Sequence, residues 1–264
     1  SMFLDGTLHP MEVNGVPSEL PEWAKAGVIQ DPKAMRDLVL DGAKTLSDEM
    51  PGSDSSYRDW LHFSRRFGEI LSRFHSVDAY QAEGIRREMR AFVQDVDDQL
   101  AQWVAKHYAD LPSLPIARGP VMLHHVPRYL AMKHNLNQEK IALVVFDGLA
   151  LDQWVQVRES LVKACDKLMF NELSCFAWLP TLTSVSRQAL FSGLRPREFP
   201  DDVESTSREP IYWKRFWQDQ GARPNDVYFQ KSIKRNDDLP ALEDKLSNPS
   251  VKVAGLVVDT VDEI

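Results

Sequence analysis

Cysteine is almost absent from this chain: Cys165 and Cys175 are the two in 264 residues. Two thiols without paired spacing build neither a disulfide framework nor a structural zinc site, so both read as reduced core thiols. Long apolar runs are missing as well. No stretch of about 18 apolar residues is present to span a bilayer. The first residues lack the basic and apolar regions of a signal peptide, so a cytoplasmic location is the expectation. Positive charge is in deficit, with 31 Lys and Arg against 39 Asp and Glu, a formal net charge of -8 and a pI near 5.4. That excludes a global basic surface of the kind that holds nucleic acid through its phosphates, and makes any such contact local. No internal repeat or low-complexity segment is apparent. The apolar share of 43% with 27% charged residues is that of a folded globular protein, which excludes a disordered or fibrous chain.

What is present divides in two, as a length of 264 residues favours. Ser1-Met2 reads as a scar of tag removal and is set aside. The chain stops soon after an apolar run at 253–258, which suggests a boundary inside a domain. Residues 1–52 carry Pro10, Pro17, Pro21, Pro32 and Pro51 around one plausible helix at 31–46, a segment expected to wrap a neighbour. Asp54 and Ser55 can cap a helix in which Trp60, Phe63, Phe67, Ile70, Leu71 and Phe74 recur at spacings of three and four. A second amphipathic stripe, Ile85, Met89, Phe92, Val96, Leu100 and Trp103, predicts a helix over about 79–109, and the two make a helical hairpin. Pro112, Pro115 and Pro120 end helical structure, and the domain boundary is placed there. The expectation is a helical region at 1–118 with a proline-rich lead, followed by an α/β part at 119–264.

In that second part 141–146 is an unbroken apolar run, expected to be a strand buried on both faces of a sheet. Further strands are expected at 173–178, 227–229 and 251–258. Helical stretches are expected from Leu151 to Val162 and at 187–191, 210–220 and 239–246. Strands alternating with helices predict an α/β sheet with right-handed crossovers.

Ligands of open α/β sheets sit beyond the carboxyl ends of the strands, so Asp147, the first polar residue after its strand, points at such a crevice. The alternative is that it caps the following helix. After the strand expected at 173–178 comes LPTLTSVSRQALFSGLRP, in which Thr183, Ser184 and Ser186 fall at a helix start, where free N–H groups and the helix dipole favour an anion such as phosphate. A hydroxyl there can attack phosphorus once a divalent cation held by Asp147 lowers its pKa. The alternative is a capping motif with no chemistry.

The spacing in this segment resembles the nucleophile motif of nucleotide pyrophosphatase/phosphodiesterases and their alkaline phosphatase superfamily relatives. In these a proline stands three residues before the nucleophilic threonine and a glycine ten after, as Pro180, Thr183 and Gly193 do here, and Pro196 matches the proline that commonly follows. With VVFDGLALDQW ahead of it, the region resembles the PglZ domain of bacterial phage-defence systems (BREX and phage growth limitation). The resemblance covers residues from about 120 to 264 and implies the N-terminal part of an alkaline-phosphatase-like sheet flanked by helices. Ser184-Val185-Ser186 replaces the phenylalanine-proline-asparagine that commonly follows the phosphodiesterase nucleophile, so substrate contacts do not carry over.

The resemblance further implies two divalent metals, commonly zinc, with manganese or magnesium as alternatives. Asp147 and Thr183 would serve as ligands to one of them, and Thr183 as the nucleophile. A later aspartate is followed four residues on by histidine, and Asp262 is placed to be that aspartate, with Asp259 the competing choice and a solvated acidic turn the plain reading of both. The matching histidine would fall past Ile264, which makes the ligand set within these residues incomplete and little turnover the expectation for them alone. The activity implied is metal-dependent phosphoester or phosphodiester hydrolysis. The competing class is a phosphatase-like scaffold that binds DNA or other defence proteins, for example a DNA methyltransferase.

Several other features are read as ordinary structure. FLDGTL at 3–8 lacks a preceding strand and a placed nucleophilic aspartate for haloacid dehalogenase chemistry. His124-His125 reads as a surface pair without a metal partner at suitable spacing, and Lys231, Lys234 and Arg235 as a solvated basic loop. Trp213, Phe216 and Trp217 read as core rather than a base-stacking platform.

Overall fold

The computed structural model describes residues 11–12, 28–29, 32–77, 82–134, 139–200, 203–234 and 238–259. In chain order the elements are β1 (Met11–Glu12), β2 (Val28–Ile29), α1 (Pro32–Asp48), α2 (Tyr57–Ser76), α3 (Arg86–His107), α4 (Val126–Lys133), β3 (Ile141–Phe146), α5 (Leu151–Ala164), α6 (Thr183–Ser192), α7 (Glu209–Asp219), β4 (Val227–Ile233), α8 (Leu239–Ser247) and β5 (Val253–Val258). This is a mixed α/β protein with a helical region ahead of a small parallel sheet. The chain divides into two compact units. One is Ser1–Ser55, Phe63–Lys106 and Leu151–Ala164; the other is Ser56–His62, His107–Ala150 and Cys165–Ile264.

In the first unit the apolar stripes of α2 and α3 meet, with Phe67 stacked on Phe63 at 6.2 Å and tilted against Phe92 at 5.6 Å between ring centroids. Ile85, Met89, Phe92, Val96 and Trp103 are all buried, and the Trp103 indole N–H donates to the Ser55 carbonyl at 2.8 Å. The capping differs from the sequence expectation. Ser56, not Asp54 or Ser55, sits at the start of α2, where Asp59 reaches back to accept from its N–H and its hydroxyl, both at 2.8 Å. Asp54 instead pairs with Lys106, and Ser55 accepts from the Gly52 N–H. The α3 helix is also shorter than its apolar stripe suggests, because a turn at Gly84–Ile85 interrupts it ahead of Arg86.

In the second unit β5 is the central strand of the order β3-β5-β4, and all pairs are parallel. Val253 and Val257 face a cluster with Ile141, Phe191, Trp213, Phe216 and Trp217, whereas Ala254 and Leu256 face Ile233 and Leu242. Burial on both faces therefore belongs to β5. For β3 the expectation is overturned: Ile141 is buried, while Val144 and Phe146 on the opposite face stay 43% and 42% exposed. As an edge strand it lies outside the cover that α8 gives to β4 and β5. Gly255 explains how Trp213 lies so close to the sheet. A Cβ there would come within 2.9 Å of the Phe229 ring and 3.0 Å of the Trp213 indole, whose N–H donates to the Tyr228 carbonyl at 3.1 Å.

Three other expectations are corrected. Residues 173–178 form no sheet strand. Phe176 makes a single bridge to Met122, exchanging backbone bonds with Val121 and Leu123. Cys165 is exposed, so only Cys175, whose thiol burial pushes up to about 12, resembles an interior thiol. His124 and His125 are buried, not surface residues, at 2% and 5% exposure. The His125 Nδ1 accepts from the Val121 and Met122 N–H groups, which ties the ring into the turn before α4. Trp213, Phe216 and Trp217 are core, in edge-to-face contacts.

Candidate metal and nucleophile site

The parallel register sets the site. Phe146 pairs with Val258, so Asp147 and Asp259 are the next residues on adjacent strands, at the same carboxyl edge of the sheet. Strands in a sheet lie about 4.8 Å apart, which brings the two carboxylates side by side. The backbone continues the pairing through an Asp147 N–H bond to the Val258 carbonyl. Both carboxylates are largely enclosed, with side chains 16% and 20% exposed.

Between them lies a cation that sequence reading did not single out. Arg187 on α6 donates from one terminal nitrogen to Asp147 Oδ2 at 3.0 Å and to Asp259 Oδ1 at 3.4 Å. Its Nε and other terminal nitrogen grip Glu209 at 2.7 Å each. Glu209, at the start of α7, is fully buried. Burial works against the Arg187 charge, but the bonds to Glu209 and Asp147 outweigh it and hold the guanidinium pKa above its ordinary value. Burial raises the Glu209 pKa, opposed by Arg187 and by the charge of Lys231.

Thr183 is the first residue of α6, one turn ahead of Arg187. The hydroxyls here do not form the capping motif: the N-cap is Leu182, no side chain caps the helix, and Thr183 is exposed. The helix therefore presents its first N–H groups beside an accessible hydroxyl. At the far end Gly193 closes α6 at φ 67, a left-handed conformation that glycine adopts without strain. A Cβ there would also press on the Phe216 ring at 3.0 Å, so the motif glycine has two physical reasons for its place.

The structure thus joins Asp147 to the Thr183 helix through Arg187 and adds Asp259. Asp262 and Arg235 lie outside the described residues. Lys231 is half-buried and donates to the Thr206 carbonyl, so it is not the solvated loop residue expected. Among the described residues no three His, Cys, Asp or Glu side chains converge as a metal cage.

A family model for the BREX system PglZ alkaline phosphatase-like domain matches residues 126–264, just over half of the chain. The chain belongs to the PglZ family. Its matched region starts at α4 and contains the whole sheet, α6 with Thr183, and the Asp147, Arg187, Glu209 and Asp259 constellation. No curated protein matches the chain.

The alkaline phosphatase-like description implies metal, and the donors suit one. Asp147 and Asp259 supply hard carboxylate oxygens at one sheet edge, each with an oxygen that Arg187 does not use. Oxygen-only donors match manganese or magnesium readily and serve zinc as part of a larger set. The buried histidines lie in the turn before α4: His125 is bonded into that turn, and burial together with the neighbouring His125 lowers the His124 pKa to about 3, which keeps that ring neutral.

Proposed function

We propose that this PglZ protein is a metal-dependent phosphoesterase of a phage-defence system, acting on a phosphodiester. Thr183 is the nucleophile, and Asp147 is a ligand to the cation beside it. The second aspartate comes from the residues that follow β5, where Asp259 has the geometric support and Asp262 is the alternative by motif. The observation that carries the reading is the meeting of Asp147 and Asp259 with the nucleophile helix at one sheet edge. Bound divalent cations would supply Lewis acidity at the phosphoryl oxygens and lower the pKa of the attacking hydroxyl. The α6 N-terminus directs N–H groups toward an anion at Thr183. The Thr183 hydroxyl attacks phosphorus, the ester oxygen leaves, and water then releases the phosphoryl group from the threonine. Two zinc ions are the set that family likeness suggests, while the oxygen donors also suit manganese or magnesium.

The test is hydrolysis of bis-p-nitrophenyl phosphate by the chain with any native sequence that follows Ile264, with zinc, manganese or magnesium added. Turnover that depends on metal and is abolished by Thr183→Ala is expected. A protein that binds metal, keeps Thr183 and hydrolyses no phosphoester would favour the competing scaffold, which binds DNA or another defence component such as a methyltransferase.

A further inference from the structure

Arg187 is shared between two very different environments. Its Nε and one terminal nitrogen grip a carboxylate with no exposure at all, and its remaining nitrogen reaches both Asp147 and Asp259. We infer that Arg187, clamped by Glu209, is the positioning residue that holds Asp147 and Asp259 side by side as a carboxylate pair for one divalent cation. This rests on the metal-dependent reading above.

Two roles are conceivable for a guanidinium between two such carboxylates, and the geometry separates them. In the first, Arg187 substitutes for the cation and must leave when metal binds. Leaving would strand the Glu209 carboxylate, fully buried and without its bidentate partner, and breaking a buried pair in this way is strongly unfavourable. In the second, Arg187 stays and metal binds beside it. The charges favour this role: Arg187 and Glu209 form a neutral pair, and Asp147 with Asp259 leaves two negative charges, matching one divalent cation. The oxygens agree, because Arg187 bonds Oδ2 of Asp147 and Oδ1 of Asp259 and leaves the other oxygen of each for a cation. A planar fork with donors on two edges can hold three carboxylates in fixed orientation, which an ammonium cannot do.

The experiment is a titration of the chain, with any native sequence that follows Ile264, with Mn²⁺, followed by loss of the free-ion EPR signal and by the spectrum of the bound ion. The decisive variant is Arg187→Met with Glu209→Leu. It removes a neutral pair, so the net charge beside the cation does not change and only the positioning is lost. Exchange of a buried ion pair for apolar residues is commonly tolerated, so this variant is expected to fold. Its Mn²⁺ affinity should fall at least about tenfold, with an altered bound-ion spectrum, as for other residues that orient metal ligands. Glu209→Gln alone should also weaken binding, because it loosens the fork and leaves the Arg187 charge uncompensated. Leu242→Ala, in the cluster on the other sheet face, controls for a loss of stability and should leave affinity unchanged. Affinity in the double variant equal to or tighter than that of the parent would overturn the positioning role while leaving the metal reading intact. No Mn²⁺ binding by the parent at millimolar concentration would remove the metal reading at this pair, and the inference with it. Weakening by Leu242→Ala equal to that in the double variant would reduce Arg187 to a structural role.

Discussion

Replacing Arg187 alone by methionine should destabilise the protein in a strongly pH-dependent way. Glu209 would lose both of its 2.7 Å bonds while remaining fully buried. Breaking a buried ion pair by removing one partner costs about 3–5 kcal/mol. The stranded carboxylate has one escape, which is to take up a proton. From an ordinary glutamate pKa of about 4.3, that uptake costs about 3.7 kcal/mol at pH 7 but only about 1 kcal/mol at pH 5. Glu209 would then have a folded pKa far above its unfolded value, so its contribution is intact below about pH 4.3 and is lost as pH rises. The penalty of Arg187→Met should therefore shrink by up to about 2.7 kcal/mol between pH 7 and pH 5. Lys231, whose charge favours the ionised carboxylate, trims this difference. Urea unfolding of parent and variant at both pH values measures it, and the titrating groups that Arg187 does not touch cancel in the comparison. A penalty that is the same at pH 5 and pH 7, or below about 1 kcal/mol at both, would show that the Arg187–Glu209 pair does not carry the energetics assigned to it.

Two further outcomes follow from the packing. Gly255→Ala should lose about 1–3 kcal/mol in urea unfolding, because its Cβ would force Trp213 or Phe229 to move, and a stability equal to the parent would mean the indole shifts freely. His124 has a folded pKa of about 3, lowered first by burial and then by the charges of His125, Arg195 and Arg128, so the unfolded chain takes up the proton first as pH falls below about 6.5. Stability should fall with a slope of about 1.4 kcal/mol per pH unit from this group between those values. His124→Gln should remove that share of the slope whatever its effect at pH 7, and an unchanged slope would contradict the buried neutral ring.

Much of this architecture is legible in the sequence because single segments carry it. The run at 141–146 gives β3 its bounds, the three-and-four spacing gives α2 and α3 their faces, and Asp147 and Thr183 stand at the strand end and the helix start where the sequence puts them. What the sequence hides depends on partners distant along the chain. Residues 173–178 have the composition of a strand, but the segment makes a single bridge, Phe176 to Met122, and does not join the sheet. The exposed face of β3 depends on which strand is central, and that is a property of the pairing order. Arg187 lies inside the motif one turn from Thr183, yet its meaning comes from Glu209, 22 residues later, and from Asp259, 72 residues later. A single arginine in an amphipathic helix carries no local mark of such a role. The cap at Ser56 is a smaller case: three adjacent polar residues could each start α2, and Asp59 selects among them by reaching back.

The central claim is that Thr183 performs nucleophilic attack with metal held at Asp147. Its most direct measurement is turnover of bis-p-nitrophenyl phosphate with and without added divalent metal, for the parent, Thr183→Ala and Asp147→Asn, in the chain with any native sequence that follows Ile264. Metal-dependent turnover is expected in the parent, and a fall to background in Thr183→Ala with metal still bound. Asp147→Asn should lower both turnover and metal affinity, the turnover on the order of 10² to 10³-fold for the loss of one electrostatic contact. Metal-dependent turnover that survives Thr183→Ala would contradict nucleophilic attack by Thr183.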